Sequence, residues 1–245
     1  MPKQVEECLS TWHQLMPDWE FRLWDLRSVQ GIDSIWLREC LEARKWAFAS
    51  DYVRLYALHF YGGIYLDTDC ALYKSLEPLR QHRAFIGREW QVHIEGSDTW
   101  QYLTSHCMGA EPGHPYIKRC LDYYSDRHFI LSSDISLPDN LRYDQTLLPY
   151  IQCMLAMQQG YNPSAIQNHI QSLPDGLTIY PYNYLDCFEP KSHSYARHLA
   201  LGSWWRTPNP LQRPHITLLY RIQYRLRQWF RRFMWRRGYI VVPKK

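Results

Sequence analysis

Apolar positions recur at helical spacing near the start of the chain. Val5, Cys8, Leu9, Trp12, Leu15 and Met16 mark one face of a helix, and Pro17-Asp18 ends it. Trp19-Glu20-Phe21-Arg22-Leu23-Trp24 then alternates, which predicts a strand. Residues 32–46 return to helical spacing. Ser50 is read as the N-cap of a helix over 51–61. Gly62-Gly63 closes that helix, because glycine takes a left-handed cap at little cost. Ile64-Tyr65-Leu66 is a short apolar strand that runs into Asp67-Thr68-Asp69. Further on, the pattern predicts a strand at 84–87, a proline-opened helix at 115–124, a helix at 144–157 and a strand at 177–181. Short apolar strands alternating with helices predict an α/β fold with a largely parallel sheet. Three prolines between Thr207 and Pro214 divide a body, residues 1–206, from a tail, residues 207–245.

Charge changes the picture of the tail. From Arg213 to Lys245 there are eight Arg, two Lys and no acid, which leaves 18 basic and 24 acidic residues in the rest. The body is therefore acidic, and the overall charge of +4 is no sign of a nucleic-acid-binding body. Leu219, Ile222, Leu226, Trp229, Phe230 and Phe233 share one helical face with arginines around them. Such a basic amphipathic helix suits a peripheral contact with an anionic membrane. No apolar run is long enough to span a bilayer, and Glu6-Glu7 stands where a signal peptide would be apolar. The seven cysteines are scattered, odd in number and never spaced as CxxC. The expectation is a reducing cytoplasm, with the protein at the inner face of the membrane. Aromatic residues reach 16%, which suits either a heavy aromatic core or a site for flat ligands such as sugars and bases.

The candidate chemistry centres on Asp67-Thr68-Asp69. Ligands of open α/β sheets bind at the carboxyl ends of the strands. Two carboxylates there can converge on one hard cation, Mn2+ or Mg2+, that also takes the phosphates of a substrate. The triplet alone is common by chance, so its context decides. A phosphatase of haloacid-dehalogenase type would need Thr or Val at position 71, which is Ala. An EF-hand calcium loop would need glycine where Leu72 stands.

The context is Ala49-Ser50-Asp51-Tyr52-Val53-Arg54, with Leu58, then Gly62-Gly63-Ile64-Tyr65-Leu66-Asp67-Thr68-Asp69. This run closely resembles the signature of the DxD-containing sugar transferases of glycosyltransferase family 32. Cys8-Leu9-Ser10-Thr11-Trp12, Gly109-Ala110-Glu111-Pro112-Gly113-His114-Pro115 and His198-Leu199-Ala200-Leu201-Gly202-Ser203-Trp204 extend the resemblance over residues 5–205. It implies a GT-A fold, a Rossmann-like sheet that binds a UDP- or GDP-linked sugar through a divalent metal. It also implies transfer with retention to a surface polysaccharide or glycolipid acceptor. The family's usual first strand, ahead of the first helix, has no counterpart here.

The resemblance assigns Asp69 to the metal and Asp67 beside it, on the metal or on the donor's ribose and sugar hydroxyls, with His198 completing the shell or contacting the diphosphate. The resemblance implies that Asp51 and Arg54, three apart on a helix, grip the donor sugar, with Tyr65 of the same motif alongside; the plain alternative is a mutual surface salt bridge. Asp144-Gln145 matches an acidic position that faces the sugar in related enzymes, although an acid at a helix start is also favoured by the helix dipole alone. Ser203 and Trp204 would close over the phosphates and the nucleotide as a late loop, unless Trp204 and Trp205 simply plug the core. His114 shapes the turn before Pro115. A second reading stays open, in which the chain is a catalytically inactive glycosyltransferase-like subunit that binds nucleotide or glycan.

Overall fold

The computed structural model describes residues 2–201 apart from positions 97 and 188. The tail, its expected amphipathic helix, Ser203 and Trp204 lie outside the described residues. In chain order the elements are α1 (Lys3–Leu15), α2 (Ile35–Glu42), α3 (Trp46–Tyr61), β1 (Gly63–Leu66), β2 (Cys70–Leu72), β3 (Ala84–Arg88), β4 (His93–Glu95), β5 (Asp98–Trp100), β6 (Leu103–Ala110), α4 (Pro115–Asp122), α5 (Asp139–Arg142), α6 (Leu148–Met157), β7 (Gln171–Ser172), β8 (Leu177–Tyr180), α7 (Tyr182–Leu185) and β9 (Ala196–His198).

Five strands form one sheet in the order β1-β6-β3-β8-β7. β3 and β8 are parallel, whereas β6 runs antiparallel to both of its neighbours, β1 and β3. The α/β class holds, but the sheet is mixed rather than largely parallel. β6 escapes the sequence pattern because Leu103-Thr104-Ser105-His106-Cys107-Met108-Gly109-Ala110 has neither a β-branched run nor alternation. Nearly all of it is buried, since the sheet is covered on both faces. Among the described residues, no strand pairs with the other edge of β1.

Alternate residues of the strands feed two apolar clusters. Ile86 and Met108 point to one face, where α2, α3, α4 and α6 supply Leu37, Leu55, Ile117 and Ile151. Phe85 and Cys107 point to the other, where Trp12 and Met16 meet Leu72, Leu185 and Ala196. β2 and β9 pair there as a separate ribbon, with Cys70 opposite His198. All seven cysteines are buried free thiols.

Four local expectations need correction. Residues 19–24 form no strand: their aromatic rings pack singly, Phe21 on Trp12 and His13, Trp24 on Tyr56 and Tyr61, with no neighbouring strand. The helix over 32–46 is broken after α2, where Arg44 enters the left-handed region at φ 54°. Its N-cap is Ser34, which accepts from Leu37 N–H. Ser50 is no N-cap, because α3 begins four residues earlier, at Trp46; its Oγ donates to the Ala47 carbonyl instead. Asp144 precedes α6 by four residues instead of opening it.

The exit from α3 is the joint that aims the site. Gly62 has φ 67° and ψ −163°, a conformation essentially restricted to glycine. A Cβ there would lie 2.6 Å from Pro112 Cδ. The helix thus ends and β1 begins within one residue.

Candidate metal and donor site

Asp67 begins where β1 stops. β6 is longer than β1 and runs on past it, so that Asp67 N–H donates to the His106 carbonyl at 2.9 Å. The Asp67 side chain is held from two directions. Tyr65 Oη donates to Oδ1 at 2.7 Å, and Arg54 Nη1 stands 3.3 Å from the same oxygen. The turn closes with Cys70 N–H on the Asp67 carbonyl. Beyond it β2 pairs with β9, and Leu199 N–H donates to the Asp69 carbonyl. That ribbon returns His198 to the two acids: Nε2 lies 3.2 Å from Asp69 Oδ1 and 3.9 Å from Asp67 Oδ2. Asp67, Asp69 and His198 each offer a ligand atom within 4.8 Å of the others. Two carboxylate oxygens and one imidazole nitrogen are a donor set suited to a divalent cation of the manganese class.

Behind this group lies a buried ionic triad. Arg54 is only 4% exposed. It bridges Asp51 Oδ1 at 3.2 Å and Asp67, and also donates to the Ser105 carbonyl at 2.6 Å and to Ser50 Oγ. Burial opposes its charge, yet Asp67, Tyr65 and Asp51 outweigh burial and hold it firmly protonated. Asp51 is pushed up to about 6, by burial first and then by Asp67, against the attraction of Arg54. The backbone N–H of Leu148, at the start of α6, also donates to the Asp51 carboxylate. The guanidinium lies 4.6 Å from the Tyr65 ring centre. The sequence signature thus folds into one connected unit of Asp51, Arg54, Tyr65 and Asp67.

Two residues that sequence reasoning missed lie under His198. The His106 ring stacks on it, with centroids 4.4 Å apart and planes at 18°. His106 is buried, and its Nε2 donates to the Leu185 carbonyl at 3.1 Å. Burial and the neighbouring His198 push its pKa down to about 3, so it stays neutral. Asp186 Oδ1 stands 3.7 Å from the same nitrogen, and its Oδ2 accepts from Trp90 N–H. Burial pushes Asp186 up to about 7. His198 is raised: burial favours the neutral ring, but Asp69, Asp67 and Asp186 prevail. Neither His106 nor Asp186 belongs to a spaced motif, so only the three-dimensional pairing of β6 with the turn after β1 reveals them.

The remaining candidates make local contacts of their own. Asp144 folds on itself: its Oδ1 accepts from the N–H and hydroxyl of Thr146, an Asx turn ahead of α6. Gln145 is exposed. His114 is the N-cap of α4, with Nδ1 accepting from Tyr116 N–H, so the turn-shaping reading fits.

A family model described as a glycosyltransferase sugar-binding region containing a DXD motif matches residues 2–86. Over those residues the chain is similar to this family of sugar transferases, in agreement with the resemblance read from its sequence. Among curated relatives, inositol phosphoceramide mannosyltransferase 3 of Schizosaccharomyces pombe is 30% identical over 107 residues, 42% of this chain and 28% of that protein. Mannosyl phosphorylinositol ceramide synthase SUR1 of Saccharomyces cerevisiae is 27% identical over 120 residues, 47% of this chain and 28% of that one. Inositol phosphoceramide mannosyltransferase 1 of S. pombe is 23% identical over 188 residues, covering 69% and 56%. The chain thus spans just over a quarter of the length of the first two relatives. A solved structure of the PaToxG glycosyltransferase aligns at 16% identity with a TM-score of 0.41, over 65% of each chain. Among the described residues no helix is long and apolar enough to cross a membrane.

Proposed function

We propose that this protein is a divalent-metal-dependent, retaining glycosyltransferase. It moves a hexosyl unit from a nucleoside-diphosphate sugar to a glycan or to the head group of a membrane lipid. The observation that carries this reading is the convergence of Asp67, Asp69 and His198 at the carboxyl end of β1. Asp69, His198 and Asp67 would hold the cation. A bound Mn2+ or Mg2+ supplies charge for the departing diphosphate. The names of the fungal relatives favour a mannosyl unit and a lipid-borne acceptor.

The chain's own residues divide the remaining work. Arg54 holds Asp51 and Asp67 in fixed positions, so their outward lone pairs orient sugar hydroxyls. Because both carboxylates are tied to Arg54, neither suits the role of a covalent nucleophile. A front-face displacement fits better. The acceptor oxygen bonds the anomeric carbon as the bond from that carbon to the donor phosphate oxygen breaks, and the acceptor proton leaves with the diphosphate. Ser203 and Trp204 are proposed to close over the phosphates, with Asp144 and Gln145 nearer the sugar. The basic tail is proposed to hold the protein on an anionic membrane face.

Donor hydrolysis with Mn2+ tests the reading, using a panel of UDP- and GDP-sugars. One donor should turn over, and Asp69→Asn should lower that rate by about a hundredfold or more. A folded chain that binds a donor but turns over none would instead be the inactive, glycan- or nucleotide-binding subunit.

A further inference from the structure

A metal-binding imidazole is ordinarily oriented by a hydrogen bond from its second ring nitrogen to a carboxylate or carbonyl. His198 uses Nε2 toward Asp69, at 3.2 Å. The Asp69 contact cannot fix the ring once both groups turn to a cation, because it uses the very atoms the cation would take. Among the described residues, the ring stacked on it is His106, at a centroid distance of 4.4 Å and an interplanar angle of 18°. His106 is itself fixed twice. Its ring donates to the Leu185 carbonyl, and its own carbonyl accepts from Asp67 N–H in the register between β6 and the end of β1.

We propose that His106 is a positioning residue for the cation site: its ring sets the plane of His198, while its backbone sets Asp67. One residue thereby fixes the spacing between a ligand on the sheet and a ligand on the β2/β9 ribbon. A flat, buried ring held by its own hydrogen bond suits the task. The proposal rests on the reading of Asp67, Asp69 and His198 as a divalent-metal centre.

The experiment measures Mn2+ affinity of the full chain, by the paramagnetic resonance signal of free Mn2+, in wild type, His106→Phe and His106→Leu. Both substitutions fill the buried volume, but only Phe presents a flat face. His106→Phe should bind within about threefold of wild type, and His106→Leu should bind about 10- to 100-fold more weakly. Thermal melting of the metal-free proteins separates this effect from general loss of structure, since both variants lose the Leu185 hydrogen bond alike. Equal affinity of His106→Leu and wild type would overturn the proposal, as would a Phe variant as weak as the Leu variant. Wild type that takes up no Mn2+ would overturn the metal reading itself, and the role of His106 with it.

Discussion

Arg54 is the residue on which the charge of the site converges, and its removal separates structure from surface decoration. An exposed ion pair contributes little, but a buried one leaves an uncompensated charge when one partner is lost. Arg54→Met should therefore cost about 3–5 kcal/mol of stability, read by urea unfolding at pH 7.5. The deficit should shrink as pH falls toward 6, because Asp51 without Arg54 takes up its proton at a higher pH than in wild type, and should level off below 6. A cost under about 1 kcal/mol would mean that water reaches the triad. Asp186 gives the opposite case, a carboxyl that the fold keeps from ionising. Its folded pKa of about 7 exceeds the unfolded value of about 3.9. Between those values the folded state holds a proton that the unfolded state has released. Stability from this group is therefore present at low pH and lost as pH rises to 7. Asp186→Asn keeps an acceptor for Trp90 N–H and never ionises. It should melt above wild type at pH 8, and the gap should close toward pH 4. A gap independent of pH would show that Asp186 is ionised throughout.

At the scale of elements, the joint between α3 and β1 carries the site. Gly62→Ala must leave a glycine-only conformation and clear Pro112, which stands 2.6 Å from the new Cβ. The strained backbone alone costs about 1–3 kcal/mol. Chemical denaturation should register at least that loss, while an alanine at Gly96, where a Cβ meets nothing within 4 Å, reports the positive φ without the clash. This joint was legible in the sequence because helix end, glycine pair, strand and acids follow one another without interruption, so local rules suffice. The unit of Asp51, Arg54, Tyr65 and Asp67 was legible for the same reason. β6 was not, because its burial on both faces erases alternation and its register depends on β1 and β3. With β6 unseen, His106 had no address next to Asp67. The error at residues 19–24 has the reverse cause. Alternation suggests one buried face, but here Phe21 packs on α1 and Trp24 on α3 without a partner strand, while Leu23 is exposed. His198 was found only through the family resemblance, since 128 positions separate it from Cys70, its partner in the ribbon.

At the scale of the molecule, the three candidate ligands join two parts that no strand pairing connects. Asp67 sits at the end of the main sheet, whereas Asp69 leads into β2 and His198 ends β9. β2 and β9 pack with α1 in the second apolar cluster, away from the cluster that α3 and α6 form on the opposite face. A cation held by all three residues would tie the ribbon to the sheet, and so would stabilise the fold as a whole. Linkage sets the size of that effect: at one hundred times its dissociation constant an ion adds about 2.7 kcal/mol. In a domain of this length that amounts to a rise in melting temperature of about 5–11 °C. Mn2+ should produce the rise in wild type and neither in Asp69→Asn nor in His198→Ala. The rise should also depend on pH. The raised pKa of His198 means that a proton competes for the nitrogen that faces Asp69. At fixed Mn2+, the shift should therefore be full at pH 8 and decline toward pH 6. A shift that stays constant between pH 8 and pH 6, or that survives in His198→Ala, would mean that the cation binds through carboxylates alone and that the ribbon is not held by it.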